Sequence, residues 1–305
     1  MKKIIVLLLL TALLQEGFSQ SDVHYSMFKL NRQIYNPAVT GENEALTFTS
    51  HYRDQWLKFP GAPRTFTFQG HAPFYGRNVG LGLSVVAEEI GMFKINMVSG
   101  SYAYHIRMEN EVVLSAGLQG QLEHAQIRWE EVQATDPLDR IIGQQPSKLS
   151  GNVGAGIFLR KGEWYVGASM PRILNSKTYK DVDSEMQSMF SLRTYYFQAG
   201  TAFRLNKNFA LQPGLLVAHN PSAPFEFDFN VNVLMFDRFG LGVAYRFEDS
   251  ADAILQFKLS EQLKLAAGMD FTISSLQEYA PTSFELLVQY EFNFSSKGVH
   301  NIRFF

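Results

Sequence analysis

Ser50 and His51 stand side by side in a run, Leu46 to Arg53, where apolar and polar residues alternate. A serine and a histidine serve as nucleophile and base only when their side chains meet. Neighbours in a strand point to opposite faces, so this pair cannot meet. His51 and His71 fall on the polar face of two adjacent alternating runs, which places them across a hairpin from one another. That arrangement suits hydrogen bonding. The seven histidines show no His-Glu-x-x-His spacing and the chain has no cysteine, so a zinc site is not expected. Gly80-Leu81-Gly82 lies inside an alternating run, where glycine relieves crowding in a curved sheet and does not cradle a phosphate. No catalytic residue, cofactor or metal is expected, and the chain does not read as an enzyme.

These residues depend on strands to position them. Asn36-Pro37 opens a turn, because proline fixes φ and biases the preceding residue away from helix. Leu46, Phe48, Ser50 and Tyr52 then take one face and Thr47, Thr49, His51 and Arg53 the other. DQWLKFPGAP bends the chain at Pro-Gly and Ala-Pro, and alternation resumes with Phe66 and Phe68 against Thr65, Thr67, Gln69 and His71. Two period-two runs around a polar bend predict a β-hairpin.

The same unit recurs. Alternating runs cover 44–54, 64–72, 79–88, 94–107, 112–124, 150–160, 164–173, 192–205, 209–218, 225–236, 239–247, 251–259, 263–272 and 282–294. Every second connection is short (PFYGRN, MENE, KGE, NKN, FDR, SEQ), whereas the longest, 125–149 and 174–191, fall in the other set. Short turns at one end, long loops at the other and strands near the roughly 9–11 residues that cross a bilayer are marks of an outer-membrane barrel. A soluble β-sandwich has shorter strands, about 5–6 residues, and no such asymmetry. The expected fold is all-β: a transmembrane, antiparallel, up-and-down β-barrel of about 14 strands over residues 44–294.

Composition and the N-terminus agree. Hydrophobic residues make up 46% and aromatics 14%, with 26 Phe and 13 Tyr, a balance that favours β structure. After residue 20 no run of eighteen apolar residues occurs, so a helical span is not expected. A net charge of -2 without a basic stripe argues against nucleic acid as a partner. Met1-Lys2-Lys3, the apolar run Ile4–Leu14 and Gly17-Phe18-Ser19 read as a signal peptide, 1–19, cut ahead of Gln20. Lacking cysteine, the chain has no lipoprotein anchor or disulfide to offer. Residues 20–43 then form an N-terminal segment that plugs the barrel or lies across its periplasmic mouth, and 295–305 form a periplasmic tail.

In such a barrel the polar face points inward. The candidate lumen network is His51, Arg53, His71, Glu123, Arg204, Glu226, Asp228, Glu285 and Glu291, with Thr49, Gln69, Gln119 and Lys258 on the same face. Mixed signs can pair across the lumen, which favours a filled interior over a wide channel. Outside, Trp56, Leu57, Phe59 and Pro60 form an apolar cluster at a bend, with Trp129 a weaker companion. They suit either the aromatic girdle of a barrel or the anchor of a protein interface. The tail HNIRFF reads equally as a barrel-assembly signal or a partner contact.

NPAVTG, YRDQW, GAPRTFTFQGHAP, NVGLGLSV, YAYHIRM, GNVGAGIFL, VGASMPRIL, LQPGLLV, DRFGLGVAYRFEDS and LKLAAGMDF, in this order, resemble the PorP/SprF family of type IX secretion system membrane proteins across nearly the whole mature chain. One departure stands near the last strand. Thr282-Ser283-Phe284-Glu285 occupies the place of the family's Gly-Ser-His-Glu pattern, so a role tied to that histidine does not carry over. The resemblance implies an outer-membrane component of type IX secretion that docks or anchors a secreted surface protein or gliding motility adhesin. Its implied partners are outer-membrane lipid, cargo bearing a C-terminal sorting domain and other secretion subunits. An alternative from the residues alone is a transporter or channel for a hydrophobic or small polar solute.

Overall fold

The computed structural model describes residues 24–43, 45–74, 76–128, 147–174, 193–221 and 223–292. The proposed signal peptide, Trp129 and the C-terminal tail lie outside them.

Fourteen antiparallel strands close into a barrel. They are β1 (Leu46–Asp54), β2 (Arg64–Phe74), β3 (Val79–Ile90), β4 (Phe93–Arg107), β5 (Val112–Ile127), β6 (Ser147–Lys161) and β7 (Trp164–Met170). β8 runs over Tyr195–Gly200 and resumes at Phe203–Arg204, followed by β9 (Phe209–His219), β10 (Glu226–Met235), β11 (Phe239–Arg246), β12 (Ser250–Lys258), β13 (Leu263–Thr272) and β14 (Thr282–Phe292). Each strand pairs with the next, and β1 pairs with β14 from Leu46↔Phe292 to Asp54↔Phe284, which removes any free sheet edge at the seam.

The break in β8 has a local cause. Its register against β9 is the same on both sides, Gly200↔Gly214 and Phe203↔Leu211. Thr201 faces Pro213, whose carbonyl accepts the Thr201 N–H at 3.2 Å but which has no N–H to return. One ladder bond is lost and the strand relaxes for two residues.

Period two sets the two surfaces. Phe66, Phe68, Leu83, Leu118, Leu241 and Val243 are exposed on the outer wall, a lipid-facing band. Their neighbours Thr65, Thr67, Gln69, Ser84, Gln212 and Asn230 are buried inside. At the short-turn end, Asn110-Glu111 and Phe236-Asp237 both take positive φ, the geometry that matches hairpin twist.

The lumen is occupied. His24–Asn43 runs down it through a 3-10 turn at Phe28–Leu30, one helical turn at Arg32–Tyr35 and a second 3-10 turn at Pro37–Val39. Apart from the half-buried Leu30 and Ile34, every residue of this plug is buried. It lies inside the wall and does not merely cover the mouth. His24 sits level with the start of β10 near the long-loop end, and Asn43 reaches the short-turn end beside Thr47, where β1 begins.

Candidate functional site

Three kinds of contact seat the plug. The first is apolar. Tyr25, Phe28 and Tyr35 pack with Tyr196, Leu216 and Ala218. Met27 packs with Ala244, Ile254, Ala266 and Leu287. Ala38 and Val39 pack on Phe158 and Tyr165. Inward Phe158, Leu216, Ile254 and Leu287 break the rule of a polar interior, and the plug supplies the reason: each has an apolar side chain to cover.

The second contact is steric. A Cβ on Gly80 would stand 1.9 Å from the Thr40 carbonyl oxygen, and one on Gly117 would stand 2.3 Å from the Ala38 nitrogen. No other residue lets the backbones approach so closely. These inward glycines make room for the plug, a more specific cause than crowding in a curved sheet.

The third is a set of charged and polar hubs. Glu285, fully buried, accepts the Ser26 N–H at 2.9 Å and the His51 Nε2–H at 3.1 Å, and it pairs with Arg53. Arg53 also reaches Asp270 at 2.6 Å, and Asp270 accepts the Ser26 hydroxyl at 2.8 Å. His51 Nδ1 accepts from Asn31 at 3.1 Å, which fixes its tautomer and joins wall to plug. Towards the long-loop end, His24 lies 2.7 Å from Glu226 and 3.5 Å from Asp228, and Asp228 pairs with Arg246 at 2.7 Å. Burial alone would lower the His24 pKa, but the Glu226 and Asp228 carboxylates outweigh it and hold the imidazole at about 9.

Near the short-turn end, His71 Nδ1 accepts the Gly41 N–H at 3.2 Å, and His105 donates to the Thr40 carbonyl at 3.0 Å. Glu42 sits between Arg32 at 3.4 Å and Arg160 at 3.5 Å. Arg32 also covers the Tyr165 ring at 4.8 Å. Lys29 donates to the Gln212 carbonyl at 2.7 Å.

The residues singled out in sequence therefore separate. His51, Arg53 and Glu285 form one hub, Glu226 and Asp228 another, and His71 binds the plug backbone on its own. Glu291 pairs with Lys264 at 3.0 Å, away from the plug, and Glu123 lies 4.0 Å from Arg172. Arg204 is a correction. It is exposed after the break in β8, where it pairs with Asp237 at 3.2 Å at the short-turn end, so it faces no lumen partner. Asp270, Arg246 and His24 were missed. Asp270 and Arg246 sit on the inward parity of strands already recognised, whereas nothing periodic marks His24. Among the described residues no group of three or more His, Asp or Glu is placed to hold a metal.

At the long-loop end, residues 55–63 form a pinned bend. The Leu57 N–H donates to the Thr282 carbonyl at 2.8 Å, the Trp56 N–H to the Ser283 hydroxyl at 3.0 Å and the Gly91 N–H to the Gly61 carbonyl at 2.8 Å. Trp56 and Lys58 accept positive φ values of 52° and 70° to make the turn. The Trp56 and Phe59 rings meet edge to face at 6.2 Å, and with Pro60 they border a cleft of about 340 Å³. Leu57 is half-buried and does not border it.

Comparisons with known proteins agree with this architecture. A family model described as type IX secretion system membrane protein PorP/SprF matches residues 17–290. No curated protein matches the chain. Among solved structures, the CymD monoaromatic hydrocarbon channel superposes with a TM-score of 0.52 at 11% identity, over 91% of this chain and 95% of that one. A Pseudomonas aeruginosa FadL homologue gives 0.47 at 12% identity, over 90% and 95%. The Acinetobacter baumannii outer membrane protein Omp33 gives 0.45 at 10%, over 82% and 100%. At such identities the likeness to CymD speaks for the barrel alone.

Proposed function

The chain belongs to the PorP/SprF family of type IX secretion system membrane proteins, and from that premise we propose that it is a non-enzymatic dock for a secreted surface protein. As a family member with a closed barrel it resides in the outer membrane, its long-loop end outside and its short turns in the periplasm. The observation that carries the proposal is the buried plug. Among the described residues, His24–Asn43 fills the inside of the barrel with apolar, steric and ionic seats, which weighs against an open channel. The outer surface is then what the molecule offers.

On that surface the pinned bend at 55–63 supports docking. Its backbone is held from both sides, so Trp56, Phe59 and Pro60 are presented without a large ordering cost. Aromatic anchors in a preformed cleft are the usual centre of an interface. The partner proposed is an exported surface protein or gliding adhesin bearing a C-terminal sorting domain, received from the other type IX secretion subunits. The filled lumen weighs against transport of a hydrophobic or small polar solute.

Deletion of the gene tests this. The proposal expects one large exported protein to leave the cell surface while general type IX secretion continues. An unchanged surface proteome refutes it.

A further inference from the structure

β6 outruns one of its two neighbours. Its ladder with β7 runs from Lys161↔Trp164 to Ala155↔Met170 and stops, whereas its ladder with β5 continues to Ser147↔Gln126. The last backbone bond on the β7 side joins the Ile173 N–H to the Val153 carbonyl at 2.8 Å. The Asn152 side chain then ends the pairing. Its amide donates to the Leu174 carbonyl at 2.9 Å and accepts the Leu174 N–H at 2.9 Å, so neither group is left for the next rung. Alternate residues of a strand turn their backbone groups to the same side. Ser147, Leu149 and Gly151 therefore turn N–H and C=O the same way as Val153, away from β5. Among the described residues nothing bonds to them there.

Height places this edge outside the membrane. Tyr195 begins β8 one rung past Ser169↔Tyr196, level with Met170, and its exposed ring marks the outer aromatic girdle. Leu149 stands six residues beyond the Ala155↔Met170 rung, about 20 Å along a strand. Even at a strand tilt of about 45° that distance carries Ser147–Gly151 above the girdle. The edge is also uncovered. The Leu149 side chain is 68% exposed, and a Cβ on Gly151 would meet only Gln121 and Leu122 of β5, both at 3.9 Å.

We propose that the β6 edge takes an added strand from an exported protein outside the cell. A row of N–H and C=O groups at strand spacing is complementary to an extended peptide backbone. The added strand runs antiparallel to β6, the better-bonded direction, and sets an apolar side chain beside Leu149. A second copy of this chain is not the occupant. In the same membrane its β6 runs in the same direction, so the two edges cannot pair antiparallel. The edge is continuous with the pinned bend: the Gly91 N–H bonds the Gly61 carbonyl and the Arg128 N–H bonds the Met92 carbonyl at 2.9 Å, which ties the bend, the β3–β4 turn and the end of β5 into one surface beside β6. The inference rests on the docking reading for its partner, and it adds a backbone-mediated contact to the aromatic one.

The test starts with the full chain alone in phosphatidylcholine nanodiscs. Amide exchange at Leu149 and Gly151 is expected to be at least tenfold faster than at Ser150 and Asn152, whose N–H groups face β5. Protection of Leu149 and Gly151 in the chain alone overturns the proposal, because the chain then covers its own edge. In intact cells a photoreactive amino acid at Ser147 is expected to capture an exported protein, and Leu149→Pro to cut that product at least tenfold. Proline there removes only the N–H that points away from β5, so the barrel assembles. If Leu149→Pro fails to assemble, Leu149→Lys, which blunts the edge with charge, carries the comparison. Capture from Phe59 is expected to persist in both variants. An unchanged product at Ser147 in either variant, or a product at Phe59 with none at Ser147, overturns strand addition and leaves docking at the bend standing. Capture from neither position overturns both. A Ser147 product that is a second copy of this chain overturns strand addition as well.

Discussion

Glu285 on the last strand accepts the backbone N–H of Ser26 at 2.9 Å, joining the plug to a wall residue 259 positions later in the chain. The carboxylate also meets Arg53 and His51, so one side chain couples the plug to both sides of the barrel seam. Removing it leaves Arg53 paired with Asp270 and leaves the Ser26 N–H without its acceptor. Glu285→Ala is expected to destabilise the protein by about 3–5 kcal/mol, the size found when one partner of a buried pair is removed. Glu285→Gln, which keeps an acceptor and loses the charge, should fall between. Denaturant midpoints in detergent check the order.

Gly80 separates the wall from the plug. Gly80→Val puts a side chain where the Thr40 carbonyl now lies, against backbone and not against a flexible side chain. The barrel should still form, since the substitution suits a strand. Its plug should be displaced, read out as new protease cleavage between residues 24 and 43 and as ion conductance in planar bilayers that the wild type lacks.

His24 makes the outer end of the plug sensitive to pH. Its folded pKa, about 9, lies above the ordinary 6.5. A raised pKa stabilises fully below the unfolded value, and that contribution disappears as pH rises through the folded one. Glu226, Asp228 and Arg246 are the charged groups that face it. Between pH 7 and 10 the outer end should loosen, measured as faster hydrogen exchange at Tyr25 and Ser26. His24→Gln should flatten that dependence.

The wall was legible in sequence because period two is read one strand at a time. All fourteen alternating runs became strands. The plug was not legible, since its contacts pair residues such as Ser26 with Glu285 or Asn36 with Ile157, which share no local pattern. A trace of it does exist in the wall. Ile157-Phe158-Leu159, Leu215-Leu216-Val217, Ala253-Ile254-Leu255 and Leu286-Leu287-Val288 each interrupt alternation with an inward apolar residue, and each of those residues packs on the plug or beside it. Arg204 was misplaced for a different reason: it keeps the inward parity, opposite Ala210, but stands at the short-turn end of β8, where the strand runs out into solvent beside Asp237.

The aromatic bend should behave as a surface and not as a structural core. Trp56→Ala with Phe59→Ala is expected to change the thermal midpoint little, because Phe59 is exposed and Trp56 half-buried. Partner affinity should fall at least tenfold, as for anchors worth about 2 kcal/mol or more. Titration of the isolated partner against both proteins in nanodiscs measures it.

Docking at this bend is tested most directly by photo-crosslinking in intact cells from a reactive amino acid placed at Phe59, with Lys207 at a periplasmic turn as the comparison. The account predicts a covalent product between position 59 and one exported protein bearing a C-terminal sorting domain, absent from position 207 and lost when that partner is deleted. Crosslinks from position 59 to lipid alone, or the same products from both positions, would contradict it.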